Sequence, residues 1–398
     1  MATASRSSTA PRILWPQVWG LAAVQGAITL SWVIYNLYLV RLLTQYGFSE
    51  GLATGLIVIE TGAAVLLEPF MGGLSDRLQR WMGSRFPMVA AGVILSAACF
   101  LFIPLTLILG GPTATRWLLP ISMVAWAFSM TVFRSPVLSL LGRYAMATQQ
   151  PQAASILTLV GGVTGALAPL AGDFILRLGP LVAFLLGSAV MLGAALVLRL
   201  TNPDQAAVRM AKAPTERLAF IPLAAIFAIG VGATLGLRLL LTTFAATLAP
   251  LTANPGIIMG LVFLAIAALA FPMGILARRR GAFQGMAVGL GGLATLSLAA
   301  IFTGTIGIAV LLAIAIGSGI SLISNCTIPV ALAAAPPERA GLGTGLYFGG
   351  AALASSLFSG VVAPAELSTG FSLGLGAAAL LVAIALIQPI RSHHQLIS

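Results

Sequence analysis

Twelve apolar runs occupy the sequence between residues 16 and 390, each separated from the next by a short stretch rich in proline, glycine or charge. They fall at 16–43, 51–74, 87–109, 117–142, 153–176, 180–200, 218–248, 256–277, 284–304, 306–334, 342–363 and 370–390. A helix needs about 20 apolar residues to cross the hydrocarbon core of a bilayer, and every run reaches that length. The expected fold class is an all-α integral membrane protein with twelve transmembrane helices. Only 7% of the 398 residues are charged, against about 25% in a soluble domain. Such a surface suits lipid, and no soluble catalytic domain is visible between the runs.

The longest polar connection, TNPDQAAVRMAKAPTER at 201–217, divides the runs into two sets of six. A duplicated architecture follows as the expectation: a tail at 1–15, a bundle at 16–200, the linker, a second bundle at 218–390 and a tail at 391–398. The basic, acid-free start MATASRSSTAPR reads as a cytosolic tail, since no short apolar region with a cleavage site follows it.

The net charge is +11, and its distribution speaks for topology rather than for nucleic acid. With both termini in the cytosol, fifteen of the 20 basic residues fall in cytosolic segments, among them Arg77, Arg80, Arg85, Arg143, Arg278 and Arg339. Arg41, Arg116 and Arg177 fall on the outer side, and Arg134 and Arg238 lie within runs. The excess of cytosolic positive charge sets this orientation in a cell membrane. Cys99 and Cys326 sit in apolar runs without a CxxC spacing, and His393 and His394 lie near the C-terminus. With no nucleotide-binding loop and no ligand cluster, the sequence calls for no metal, no cofactor, no catalytic residue and no enzyme activity.

Charge concentrates at one connection. The segment GGLSDRLQRWMGSRFP, 72–87, reads SDR, five residues, then G-x-R-x-P. It resembles the signature loop between the second and third helices of the major facilitator superfamily. Its spacing is most similar to the glycoside–pentoside–hexuronide and sucrose-type permease branches. The resemblance implies two six-helix halves and a latch of Gly73, Asp76, Arg77 and Arg85, in which Asp76 and Arg77 join the cytosolic ends of the halves in the outward-open state. An aspartate at a helix end can accept from the N–H groups of a neighbouring helix N-terminus and can pair with arginine. The corresponding turn of the second half, GILARRRG at 274–281, keeps Gly274 and Arg278–Arg280 but lacks the acid.

A second segment, FRSPVLSLLGR at 133–143, is similar to the R-x-P-V-x-x-L-x-x-D pattern of sucrose-type permeases. Arg134, Pro136, Val137 and Leu140 match, while Arg143 stands where that family has an acid. GGVTGALAPLAGD, 161–173, and PPERAGLGTGLYFGG, 336–350, resemble the superfamily's fifth helix and the junction into its eleventh. Small residues at 161 and 165 with Pro169 permit close packing and bending.

A charge deep in a span costs roughly 2.5–3.5 kcal/mol on insertion scales, so it needs a partner or a wet cavity. Glu60, Glu68, Arg134 and Arg238 are such charges. Glu68 and Arg134 lie at nearly equal depth, so they can pair as structural glue or serve transport. Glu60 and Arg238 lie equally far from the outer ends of their runs and can bridge the halves at an outer gate. Asp173 and Arg177 read as an interfacial pair. Gln25, Thr29, Trp32 and Asn36 recur at spacings of 4, 3 and 4, which places them on one helical face. Together with Tyr35, Ser321, Asn325 and Tyr347 they mark a candidate substrate cavity. Aromatic rings and amides suit a neutral polyol or sugar by stacking and hydrogen bonding, and suit other organic solutes too.

The expected function is secondary active transport of a small organic solute, a sugar or glycoside favoured, by alternating access around a midplane site. Proton coupling and a monomeric state are expected; the partners are solute, protons and the lipid bilayer, without nucleic acid. The alternatives are a proton-driven exporter of drugs or metabolites and a non-transporting assembly or pigment-handling factor of the same fold.

Overall fold

The computed structural model describes residues 13–109, 116–202, 219–363 and 365–397. Among them every regular element is helical. The first half of the chain forms α1 (Trp15–Gln45), α2 (Glu50–Met82), α3 (Phe86–Leu109), α4 (Leu118–Leu138), the single turn α5 (Leu141–Tyr144), α6 (Gln150–Gly165), α7 (Leu167–Arg177) and α8 (Pro180–Leu200). The second half forms α9 (Phe220–Leu248), α10 (Pro255–Arg280), α11 (Ala282–Ala299), α12 (Ile306–Ala333), α13 (Ala340–Leu357), α14 (Thr369–Ala385) and α15 (Ile387–Ile397). Eleven spans among the described residues are long and apolar enough to cross a membrane, and the pair α6–α7, bent by 48°, makes a twelfth.

Local chemistry explains the breaks. Pro16, Pro180 and Pro255 stand in first turns, where a missing N–H breaks no helical bond. Gly83 (φ 73°) stops α2 and Gly281 (φ 84°) stops α10, a left-handed conformation that only glycine adopts freely. The α6–α7 bend follows from Pro169, which has no N–H to offer the Gly165 carbonyl four residues back.

Three expected boundaries move. Residues 75–86 were expected to form a turn, yet α2 runs on to Met82 and the turn is only Gly83–Arg85. Charged residues do not end a helix; the left-handed glycine does. The tail expected at 391–398 is helical to Ile397. The run at 117–142 is broken into α4 and α5 just after Pro136. Residues 1–12 of the N-terminal tail, and 203–218 of the linker region, lie outside the described residues.

Buried apolar side chains sort into two cores. One draws on α1–α8, with Ile328 of α12 as its sole buried member from the other half, and the second draws on α9–α15. The outer surface is apolar as well: Leu66, Phe70, Phe220 and Phe302 are all more than 60% exposed. So wide an apolar surface requires lipid around it. Two seams join the halves, α2 against α13 and α6 against α10. Both are built on glycine. A Cβ on Gly72 would strike the Gly341 carbonyl, and one on Gly162 would meet Ala267 N at 2.8 Å. Without side chains there, the backbones come into direct contact.

Candidate functional site

The sharpest feature at the α2–α13 seam is Asp76. α13 begins at Ala340, so its first N–H groups have no partner within the helix. Asp76 Oδ1 accepts from Gly341 N (2.9 Å) and Oδ2 accepts from Leu342 N (2.8 Å). Arg85 Nη2 closes the site 2.5 Å from Oδ1, and both side chains are buried. Arg85 also donates to Gln79 and Ser139. Burial holds its guanidinium below the ordinary value, while Asp76 alongside opposes that shift. The contact joins the two halves of the chain and consists wholly of hydrogen bonds and charge.

The cation that meets Asp76 is therefore Arg85, not Arg77. Arg77 is exposed and lies with Gly73, Arg80 and Arg339 around a shallow cleft. Successive helical residues point about 100° apart, so Asp76 and Arg77 cannot both face α13. The same end is held by Thr344 Oγ1, which donates to the Ser135 carbonyl at 3.3 Å, and by Leu332 packed over Gly142. Toward the opposite end, α1 and α9 make no substantial contact. The halves are thus shut at the Asp76 end.

Two turns of helix further in, Arg134 Nη2 lies 2.5 Å from Glu68 Oε1. Glu68 also accepts from Ser135 Oγ, and the guanidinium stands 4.8 Å over the Phe348 ring of α13. The Glu60–Arg238 bridge is absent. Tyr35 donates to Glu60 Oε1 at 2.5 Å, and Arg238 Nε donates to Ser355 Oγ at 3.1 Å. Glu60 turns onto α1 of its own half, and α1 stands away from α9. Asp173 and Arg177 meet only through the Asp173 backbone carbonyl, at 3.4 Å.

The candidate cavity residues divide. Gln25, Thr29 and Trp32 are half-buried and Asn36 is exposed, which leaves this stripe as the open face of α1. Gln25 Nε2 donates to Thr29 Oγ1 (3.4 Å) and Asn36 Nδ2 to the Trp32 carbonyl (2.8 Å). Tyr35 lies inside the first core, its ring 4.5 Å from that of Trp126. Ser321 and Asn325 are fully buried, with Asn325 Nδ2 bound to the Ala270 carbonyl (2.8 Å), and Tyr347 is 8% exposed. These three are interior polar groups of the second core rather than cavity lining. Ser135, Ser139, Gly341, Leu342, Ser355 and Trp126 complete the sites; the first two lie in the 133–143 segment and Gly341 and Leu342 in the 336–350 stretch, while Ser355 and Trp126 carry no sequence signal of their own.

Two helical halves, meeting along small-residue seams and held at one end by a charge contact, form the two-bundle architecture of a membrane transporter. The sequence matches the Major Facilitator Superfamily over residues 21–359, and the chain belongs to that superfamily. Membership makes it a transporter rather than an enzyme. No curated protein sequence matches the chain. Among solved structures it is similar to a bacterial homologue of the iron transporter ferroportin in the outward-facing state (19% identity, TM-score 0.73, 96% of this chain and 100% of that one). It is similar too to the transporter FucP in the outward conformation (14%, 0.69, 92% and 97%). The human organic anion transporter MFSD10 is a third (16%, 0.66, 94% and 99%). At these identities the likeness is one of fold.

Proposed function

We propose that this protein moves a small organic solute across a cell membrane by alternating access, with a sugar or glycoside favoured and protons as the coupling ion. The observation that carries the reading is the Asp76 latch. Its two backbone acceptances and its ion pair with Arg85 shut one end of the molecule, and all three can part without exposing an apolar core. The bundles 16–200 and 218–390, joined by the 201–217 linker, rock about the two glycine seams. Basic residues crowd the Asp76 end, which supports a cytosolic position for that end and both termini and, with it, an outward-facing state. The protein works as a monomer, since each copy holds both halves of its path.

The α1 stripe of Gln25, Thr29, Trp32 and Asn36 offers stacking and amide hydrogen bonds of the kind a sugar uses. FucP, one of the similar structures, is a fucose:proton symporter, which fits both the solute class and the coupling. The proton acceptor is Glu60, a buried carboxylate held by the Tyr35 hydroxyl with no ion-pair partner among the described residues. The test is uptake by purified protein in liposomes, with a sugar and metabolite panel, with and without a proton gradient. Gradient-driven accumulation that Glu60→Gln abolishes is expected. Gradient-independent equilibration would remove the coupling, and no flux of any solute would remove the transport reading.

A further inference from the structure

The two arginines within the spans are provided for differently. Arg134 is neutralised by Glu68. Arg238 has no carboxylate within ion-pair distance among the described residues. Its Nε donates to Ser355 and its guanidinium lies 5.7 Å from the centre of the Phe358 ring. The terminal nitrogens of that guanidinium have no acceptor among the described residues.

The direction in which Arg238 faces follows from α13. Thr344, Phe348 and Ser355 lie on one stripe of that helix, spaced by four and seven residues. Thr344 bonds to the Ser135 carbonyl and Phe348 lies under Arg134, both on α4 of the other half. Leu357, on the opposite side of α13, is exposed. Ser355 therefore points between the halves, and the half-buried Arg238 reaches it there from α9. Its neighbour Ser356 donates to the Val58 carbonyl at 3.3 Å, which puts Arg238 at the depth of Glu60. Glu60 is turned away onto Tyr35 and leaves the arginine without a counter-charge.

The far end of the path is basic as well. A cavity of about 900 Å³ at the Asp76 end is lined by Arg143, Arg278 and His393 and by Arg85, whose charge Asp76 balances, with no carboxylate among its lining residues. Arg143 is the residue that stands in place of an acid in the 133–143 motif, and its Nη1 is buried without a hydrogen-bond partner.

We propose that the transported solute carries an anionic group, a carboxylate or a phosphate, which Arg238 binds between the halves. The proposal rests on the transport reading above and narrows its solute class to an organic anion, such as a sugar acid in preference to a neutral sugar. A guanidinium presents paired N–H donors that match two oxygens of one anionic group. In low-dielectric surroundings an uncompensated cation gains most from a counter-charge that the solute brings. The basic cavity at the other end concentrates anions along the same path.

Matched probes test this: glucose, gluconate and glucose 1-phosphate, with potassium chloride at equal ionic strength as the control. Ligand-dependent thermal stabilisation of the purified protein gives an affinity for each, and liposome flux gives transport. At least one anionic probe should bind where glucose and chloride do not. Arg238→Gln should weaken that binding roughly ten- to a hundredfold, and Arg238→Lys should restore part of it. The melting temperature of Arg238→Gln without ligand reports whether that variant is folded, and Arg238→Lys keeps the test open if it is not. Equal binding of neutral and anionic probes, no anion-specific binding, or anion binding that Arg238→Gln leaves unchanged would overturn the proposal. Flux of a neutral solute unaffected by Arg238→Gln would also overturn it while leaving the transport reading intact. Anion binding through Arg238 with no flux of any solute would overturn the transport reading and leave only an anion-binding site at Arg238.

Discussion

Asp76 and Arg278 occupy matching places in the two halves. Each follows by four residues a glycine, Gly72 or Gly274, that brings its helix against the backbone of a helix from the other half. Each then faces the first turn of that partner. Asp76 meets Gly341 and Leu342 at the start of α13, and Arg278 Nη1 donates to Gln152 Oε1 (2.9 Å) at the start of α6. A helix N-terminus carries partial positive charge and unpaired N–H groups. A carboxylate satisfies both, whereas a guanidinium satisfies neither and has to find a side chain. The first seam is therefore closed by a buried, charge-assisted latch and the second by one exposed hydrogen bond. Two seams with the same backbone packing can thus differ widely in strength, and the strength that a conformational change must overcome is concentrated in one of them.

Asp76→Ala breaks that contrast most directly. It leaves Arg85 buried without its counter-charge and frees two N–H groups, a loss of about 3–5 kcal/mol. Chemical unfolding in detergent should register this, while Arg278→Ala, which removes an exposed group, should unfold close to the wild type. Equal losses would erase the difference between the seams.

A second, smaller effect is expected two turns deeper. Glu68→Ala and Arg134→Ala should each lower stability by about 3 kcal/mol, less than for a wholly buried pair because the Arg134 side chain is 22% exposed. The double variant should recover much of the loss. Additive losses would show that the two residues do not act as partners. If the stable double variant still transports, the pair is glue; if it binds solute without moving it, the pair belongs to the mechanism.

The smallest effect sharpens the comparison by supplying the missing acid. Arg278→Asp places a carboxylate at the start of α6 and should raise stability by roughly 0.3–1 kcal/mol. A melting temperature equal to or below the wild type's would mean that α6 offers no donors comparable to those of α13.

The fold was legible from hydropathy and connection length, because twelve long apolar runs leave a chain few alternatives. Helix ends were less so. α2 passes straight through Asp76, Arg77 and Arg80, since charged side chains at a bundle end meet water at little cost, and its stop lies at Gly83. The latch was half legible. The acid and its acceptance of helix N–H groups could be read from the 72–87 pattern, but the choice of Arg85 over Arg77 depends on the chain folding back nine residues later. The second-core polar residues were misassigned for a related reason. In a helix that is apolar all round, periodicity groups Ser321 with Asn325 without saying whether their face meets a cavity or a neighbouring helix. Glu60 illustrates the limit of depth as a guide. Equal depth made Arg238 available to it, and the phenol of Tyr35 on its own half was nearer.

The latch is tested most directly by a distance across the Asp76 end. Spin labels at Met82, which ends α2, and Arg280, which ends α10, report the separation of the halves in detergent or nanodiscs. With Asp76 intact, a single short separation should dominate. Asp76→Asn keeps the shape of the side chain but removes its charge, and should shift much of the population to a longer separation. The same distance distribution in both proteins would contradict a latch at Asp76 and leave the 72–87 segment as a marker of topology alone.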